Sequence, residues 1–255
     1  MDIPRRGILR GFSWNIGRRA KLGVKSCNTT SAATHSPMLH LQDLTPDRFS
    51  KMEDIVQLYR DLHLQLDPDA GIYEKGISDE EIHNFEKEID KELPDEFKAI
   101  YKQFNGESDN FPICIFSDYM FLSLENVAAA KDSLKDLPSR VHEMERYLCY
   151  PEHSIKKVAY NPYWIPFAST SSGSYIGIEL DPDVEGKIGQ VINFGVDDFF
   201  HVQLAEDFRS FLIELKSGYS RGEYHTHYFK GSICIVDQYT IDHESAINEK
   251  YRSQK

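Results

Sequence analysis

Four short apolar segments follow one another in the second half of the chain, and they restrict its fold more than any other feature. Each segment has the length of a β-strand and is separated from the next by turn residues such as Gly, Asp, Pro and Ser. In the second segment, Ile176 and Ile178 alternate with Tyr175 and Glu179, which predicts a half-buried strand. The four segments are residues 164–168, 175–180, 190–194 and 200–204.

Amphipathic helices are predicted before these strands. Apolar residues recur at helical spacing over residues 52–66, and a capping box at residues 78–81 begins a second helix. The Leu93-Pro94 pair ends that helix, and Pro94 begins a third helix. The apolar face of the third helix runs from residue 97 to Phe104. Asn105-Gly106 supplies a left-handed exit from this third helix.

The order of the remaining elements indicates the fold class. The chain continues with a hairpin, two helices, the four strands and a closing helix, and this order predicts an α+β fold with a mainly antiparallel sheet. The hairpin comprises residues 111–116 and 119–122 and turns at Ser117-Asp118. The two helices are at 123–134, capped by Ser123 or Asn126, and at 140–148, and the closing helix is at 208–215, ended by Gly218. A further strand at 232–239 and a short helix at 243–251 follow the closing helix.

Charge divides the chain into two unequal parts. Residues 1–42 carry a net charge of +6, whereas the whole chain carries −12, so the remainder carries −18. The basic segment resembles a mitochondrial transit peptide in composition, but it also fits a disordered leader, a start codon placed too early or a nucleic-acid-binding arm. We expect a disordered basic leader at 1–44, a helical extension at 45–76, one domain at 77–218 and an extension at 219–255.

Composition excludes several classes of protein. The acidic body argues against nucleic-acid binding, which needs clustered Lys and Arg, and it fits a basic protein partner. The four cysteines have neither metal-site nor redox-motif spacing, which favours reduced thiols in the cytoplasm. No apolar run approaches the ~18 residues of a membrane span. We therefore expect a soluble cytoplasmic protein without a metal or cofactor.

Two groups of motifs, in a fixed order, resemble one known family. The first group combines the capped helix with the Leu-Pro and Asn-Gly pairs, and the second combines a W-I-P-F-A strand with a Ser/Gly loop and the strand after it. Over about residues 77–217, this order is similar to the SUKH superfamily, also called the Smi/Knr-like cell-wall assembly regulator family. The residues that carry the resemblance are Leu93, Pro94, Phe97, Tyr101, Asn105, Gly106, Trp164, Pro166, Phe167 and Gly173.

The resemblance implies both a fold and a kind of function. It implies a twisted, mainly antiparallel sheet with helices packed around it, in a protein that binds other proteins and is not an enzyme. Bacterial members are typically immunity proteins that neutralise a cognate nuclease or deaminase toxin. Fungal members act as regulators or scaffolds in cell-wall synthesis and signalling. We expect an immunity-type protein, with the regulatory scaffold as the alternative, and we expect the motif residues to be structural, with Pro166 at a strand edge or end.

Candidate partner-binding residues are acids and aromatics close to predicted strand ends. The acids would attract a basic partner surface, and the aromatics would anchor it; the alternative is that they are ordinary turn and sheet residues. His225 and His227 suggest two metal ligands, but no third ligand is near, so we expect a hairpin. The serine-rich loop at 169–174 lacks a nucleophile motif, so we expect a turn and no catalytic residue. The candidates are Tyr175, Asp181, Asp183, Asp197, Asp198 and Phe199.

Overall fold

The structure, a computed structural model, describes residues 46–66, 73–107, 114, 116, 119–135, 147–195, 200–229 and 232–237. These residues form five helices and ten strands. The helices are α1 (Pro46–Leu66), α2 (Asp79–Ile89), α3 (Asp95–Tyr101), α4 (Leu124–Lys135) and α5 (Phe208–Ser220). The strands are β1 (Tyr73–Lys75), β2 (Phe104–Glu107), β3 (Met120–Phe121), β4 (Leu148–Tyr150), β5 (Trp164–Ser169), β6 (Ser174–Glu179), β7 (Gln190–Gly195), β8 (Phe200–Ala205), β9 (Tyr224–Phe229) and β10 (Ser232–Asp237).

A six-stranded sheet organises the fold, with its strands in the order β3-β5-β6-β7-β8-β4. Its neighbours are antiparallel except for β4 and β8, which are parallel. The four strands predicted from the apolar segments are β5 to β8, at the centre of the sheet. Two antiparallel pairs, β1-β2 and β9-β10, lie outside it. The predicted α+β class and mainly antiparallel sheet are confirmed.

Both faces of the sheet are covered. The helices pack against one face around a set of aromatic rings, among them Phe97, Phe167 and Phe211. The other face packs against the end of α4 and against the stretch between β4 and β5, here called the cover segment (residues 151–163). The prediction that β6 is half-buried was therefore wrong, because Glu179, on the face opposite Ile178, is 0% exposed.

Helix α1 belongs to the interior of the fold. It begins at Pro46, earlier than the predicted helix at 52–66, and Ile55, Tyr59 and Leu62 are buried. The Tyr59 ring lies 5.2 Å from the ring of Phe104, measured between centroids. This side of the core therefore depends on a helix that precedes the segment resembling the family.

The predicted capping box is present at the start of α2. Ser78 Oγ accepts a hydrogen bond from the Glu81 backbone N–H at 3.3 Å, and Glu81 Oε2 accepts one from the Ser78 N–H at 2.8 Å. Helix α3 is shorter than predicted, because the chain after Tyr101 pairs with β1 as a strand. Phe104 therefore lies on β2 instead of on the helix, and Gly106, with φ of +87°, lies within the strand instead of at a helix exit.

Three further predictions differ from the structure. Leu148 begins β4 instead of ending a helix, because it pairs with Phe200 of β8; residues 140–146 of that predicted helix lie outside the described residues. Helix α5 continues past Gly218, which is buried on the same helix face as Leu215. Pro166 does not lie on an edge strand, since β5 pairs with both β3 and β6. It lies at a bulge in the β5–β6 pairing, outside the two residues of β5 that pair with β3.

Other predicted elements fall partly outside the described residues. Helix α4 confirms the helix at 123–134, and the Ser123 hydroxyl accepts from the Asn126 N–H at 3.2 Å. An antiparallel bridge joins Phe116 to Tyr119, as the predicted turn between them requires. The β9-β10 pair confirms the predicted hairpin. The leader at 1–44, most of the strand at 111–116 and the helix at 243–251 lie outside the described residues.

Candidate functional site

The motif residues of α2 and α3 lie in the core. The Leu93 N–H donates to Glu86 Oε1 at 2.8 Å, and Pro94 directly precedes α3. Phe97 is fully buried, and its ring centroid lies 5.9 Å from that of Phe167 and 5.6 Å from that of Phe208. These residues join α3 to β5 and α5, which is a structural role.

The motif residues at the end of α3 and on β2 contact the segment that leads into α4. The buried Tyr101 hydroxyl donates to the Leu122 carbonyl at 2.9 Å. Asn105 Oδ1 accepts from the Leu124 N–H at 2.8 Å and so caps the first turn of α4. At Gly106, an added Cβ would lie 2.4 Å from the Ser123 nitrogen, so only glycine permits this approach of the two segments.

A buried polar network lies on the second face of the sheet, around Trp164. The Trp164 Nε1–H donates to Glu179 Oε1 at 2.8 Å, and Gln190 Nε2 donates to Glu179 Oε2 at 2.5 Å. All three side chains are 0% exposed. Both carboxylate oxygens of Glu179 therefore have an N–H donor from a neighbouring strand.

Gln190 extends this network to two loops. Its Nε2 also donates to the Ser154 carbonyl at 2.9 Å, in the cover segment. Its Oε1 accepts from the Lys187 N–H and from Gln203 Nε2, both at 3.0 Å. The network thus holds the cover segment and the loop between β6 and β7 against the sheet.

Burial shifts the pKa of two ionisable groups beside Trp164 in the direction that favours their uncharged forms. Burial raises the pKa of Glu179 to about 7, although the hydrogen bonds from Trp164 and Gln190 act in the opposite direction. Burial lowers the pKa of His201 to about 4, against the effect of its hydrogen bond to Val158. The His201 ring lies 5.0 Å from that of Trp164, between centroids. Such groups suit catalysis only when a substrate can reach them, and here their neighbours are core side chains.

Of the predicted partner-binding residues, the structure describes three. Asp181 accepts from Lys156 Nζ at 2.6 Å and from Asn161 Nδ2 at 3.1 Å, so it ties the β6–β7 loop (residues 181–189) to the cover segment. The hydrogen bond from Lys156 lowers the pKa of Asp181. Asp183 lies in the same loop and accepts from the Val184 N–H. Tyr175 is partly buried, with its ring stacked 5.7 Å from that of Phe194.

The other three predicted residues, Asp197, Asp198 and Phe199, lie outside the described residues, between β7 and β8. The structure therefore shows Asp181 and Asp183 on one loop and Tyr175 at the start of β6. Whether these residues bind a partner stays a prediction.

The alternative catalytic and metal candidates form local structure. In the serine-rich loop, Thr170 Oγ1 accepts from the backbone N–H groups of Ser172 and Ser174, at 3.3 and 3.2 Å, and Gly173 has φ of +85°. This is the expected turn. His225 and His227 lie on β9, with side chains outside the described set. Among the described residues, no group of three or more His, Cys, Asp or Glu side chains is arranged to hold a metal ion.

Sequence reasoning missed two features. The burial of Glu179, Gln190 and His201 was not predicted, because polar residues in strands give no sign of burial when the segment that covers them is distant in the sequence. The second feature is the β6–β7 loop, where Val184 and Ile188 are 86% and 75% exposed. Two aliphatic residues within a D-P-D-V-E-G-K-I-G turn sequence were the available signal.

The fold and its buried network define an α+β domain with a mainly antiparallel sheet, whose most unusual polar residues hold loops in place. The model of the SMI1 / KNR4 family (SUKH-1) matches residues 76–253, well over half of the chain. The chain therefore belongs to the SMI1 / KNR4 family, as its motifs predicted. The match includes β9 and β10 but not α1.

Curated relatives carry names that describe regulation. Cell wall assembly regulator SMI1 of Saccharomyces cerevisiae is 21% identical over 179 residues, covering 57% of this chain and 35% of the relative. The KNR4/SMI1 homolog of Yarrowia lipolytica is 34% identical over 74 residues, covering 29% of this chain and 10% of the relative. Glucan synthesis regulatory protein of Neurospora crassa is 29% identical over 102 residues, covering 38% of this chain and 19% of the relative. The chain thus spans about a third or less of the length of these relatives.

No helix in the described part of the chain is both long enough and apolar enough to cross a membrane.

Proposed function

We propose that this chain is a non-enzymatic, protein-binding regulator of cell-wall synthesis. The observation that carries the proposal is membership of the SMI1 / KNR4 family together with relatives named as regulators of cell-wall assembly and of glucan synthesis. These names favour the regulatory scaffold over the immunity-type protein that the sequence analysis placed first. The neutralisation of a toxin has no comparable support.

The chemistry of the interior supports a binding role over a catalytic one. The Glu179 side chain is buried beside Trp164 and Gln190, and both of its carboxyl oxygens accept hydrogen bonds from these two residues. Burial raises the pKa of the Cys149 thiol to about 11, which keeps it protonated and a poor nucleophile at neutral pH. Both groups are thus buried within the fold.

The proposal includes a protein partner and a cytoplasmic location. Buried free thiols, such as Cys114 and Cys149, suit a reducing compartment. A net charge of −18 after residue 42 suits a partner with a basic surface, because opposite charge speeds association.

Depletion of the protein in the organism that encodes it tests the proposal. We expect the glucan content of the wall to change and the cells to become more sensitive to a wall-binding dye, and re-expression of the full chain to reverse both effects. An unchanged wall, in cells that instead become sensitive to one secreted toxin, would contradict the regulator and support the immunity-type protein.

A further inference from the structure

We infer that the β6–β7 loop is a preformed docking element, and that its occupant is a partner protein with an apolar pocket rimmed by Lys or Arg. Val184 and Ile188 are the anchors that fill the pocket, and Asp183 and Glu185 face its rim. This inference rests on the proposed protein-binding function and assigns it to a surface.

The loop exposes two large aliphatic side chains. Val184 and Ile188, at 86% and 75% exposed, are the two most exposed large hydrophobic side chains in the described part of the chain. Single exposed aliphatic residues are common, but here two stand four positions apart on one loop. Neither side chain contributes to the core, so packing within the domain does not account for them.

Hydrogen bonds and an ion pair hold the loop in place near Val184. The Glu185 N–H donates to the His153 carbonyl at 2.9 Å, and the Asp183 N–H donates to the Ser154 carbonyl at 3.3 Å. The ion pair between Asp181 and Lys156 adds a side-chain connection at 2.6 Å. A loop with these contacts loses little conformational entropy when it binds, which favours affinity.

The loop is equally well held near Ile188. The Gly189 N–H donates to the Glu179 carbonyl at 2.8 Å, and the Lys187 N–H donates to Gln190 Oε1 at 3.0 Å. At Gly186, an added Cβ would lie 2.1 Å from the Ser154 carbonyl oxygen, so the two backbones touch there. The buried network around Trp164 thus fixes the backbone that presents both anchors.

The charged side chains of the loop identify the occupant. Lys187 is paired with Glu206, and Asp181 with Lys156. Within the described residues, Asp183 and Glu185 have no cationic partner, and they flank Val184 on both sides. A pocket that receives Val184 would bury these carboxylates near its rim, and Lys or Arg at the rim would compensate them.

Strand β4, which precedes the cover segment, carries two further exposed apolar side chains. Leu148 and Tyr150 are 57% and 41% exposed, and β4 runs directly into the cover segment, which is hydrogen-bonded to the loop. The other exposed large hydrophobic side chains of the described residues, Leu64 and Ile213, lie on α1 and α5. They provide matched control positions.

Site-specific photo-cross-linking in the native cells tests the inference. The full chain carries p-benzoylphenylalanine at position 184 in one strain and at position 213 in another, and cross-linked proteins are identified by mass spectrometry. We expect a protein partner cross-linked from position 184 and not from position 213, through a segment that contains Lys or Arg beside apolar residues.

Affinity measurements with the purified, cross-linked partner then test the anchors. Because each anchor is expected to carry a substantial share of the binding free energy, Val184→Asp with Ile188→Asp should raise Kd at least tenfold, whereas Ile213→Asp should leave it within twofold. Glu185→Lys should slow association at low salt. Gly186→Ala keeps both anchors but displaces the loop, and it should also weaken binding. Unchanged melting curves for the exposed-site variants confirm that they fold.

Each alternative outcome has a distinct meaning. Cross-linking from position 213 but not 184 overturns the docking surface and leaves the proposed function standing. Cross-linking of position 184 to a second copy of this chain, or to a segment without basic residues, overturns the assigned occupant. No cross-linked protein from either position overturns the inference and counts against the proposed function as well.

Discussion

Trp164 contacts two buried ionisable residues whose pKa values are strongly shifted. Its indole N–H is bonded to Glu179, and its ring contacts that of His201. The pKa of Glu179 is raised from 4.5 to about 7, so protonation of Glu179 stabilises the folded state. The pKa of His201 is lowered from 6.5 to about 4, so protonation of His201 stabilises the unfolded state. The two residues therefore give the free energy of unfolding opposite dependences on pH.

We predict that the two dependences nearly cancel between pH 4.5 and 6.5. As pH rises through this range, Glu179 lowers the free energy of unfolding and His201 raises it, each by about 3 kcal/mol at full effect. Glu179→Gln should leave a stability that rises with pH, and His201→Phe should leave one that falls. Urea unfolding of the wild type and both variants at pH 4.5, 5.5 and 6.5 measures the slopes. Equal slopes in the two variants would contradict the account.

Burial of the large Trp164 side chain leads to a second prediction. The indole ring is fully buried against Phe194, at 5.1 Å between ring centroids, and it donates a hydrogen bond to Glu179. Trp164→Ala should lower the free energy of unfolding by about 3–5 kcal/mol, as measured in urea. Val184→Ala, at an exposed position, should change it by no more than about 0.5 kcal/mol. A Trp164→Ala variant that stays fully stable but loses its partner would show instead that this residue is an exposed anchor.

At the scale of elements, α1 lies before the region that the family model matches, yet it supplies core residues. Leu62 and Leu64 are on the same helix and are 1% and 54% exposed. Leu62→Ala should therefore lower the free energy of unfolding by about 2–5 kcal/mol, and Leu64→Ala should have little effect. Similar, small effects of the two substitutions would show that α1 is dispensable.

The strands at the centre of the sheet could be predicted from the sequence because their signal is local. Each of β5 to β8 is a short apolar run between turn residues, and the capping box at Ser78 is likewise a pattern of four residues. Strand β4 could not be found in this way, since its pairing with β8 joins Leu148 to Phe200 across a long stretch of chain. Phe104 followed the helical spacing of α3, but its pairing with Lys75 of β1 overrides that local pattern.

The candidate site was predicted less well than the fold, also for a physical reason. The sequence pattern of residues 181–185 predicts a turn whose acidic side chains could face a basic partner. The same pattern does not show that, among the described residues, Asp181 forms an ion pair within the protein and Asp183 does not. The burial of Glu179 depends on the cover segment, which lies on the second face of the sheet and has no regular pattern of its own.

For the molecule as a whole, charge predicts how a partner is approached. Asp197 and Asp198 contribute to the −18 carried after residue 42. Changing both to Lys should slow association with a basic partner at low salt, with a smaller effect at high salt, because salt screens long-range attraction. The melting temperature should stay nearly unchanged. Stopped-flow association rates at two salt concentrations measure the effect, and identical rates for both proteins would show that these acids do not face the partner.

Quantitative affinity purification tests whether this chain acts by binding proteins of wall synthesis. The tagged full chain is recovered from the cells that encode it, beside the Val184→Asp, Ile188→Asp variant, and co-purified proteins are quantified by mass spectrometry. We expect proteins of wall synthesis or its signalling to co-purify at near-stoichiometric amounts and to be depleted with the variant. Recovery of a single nuclease- or deaminase-like toxin, or of no protein at all, would show that the chain does not act in this way.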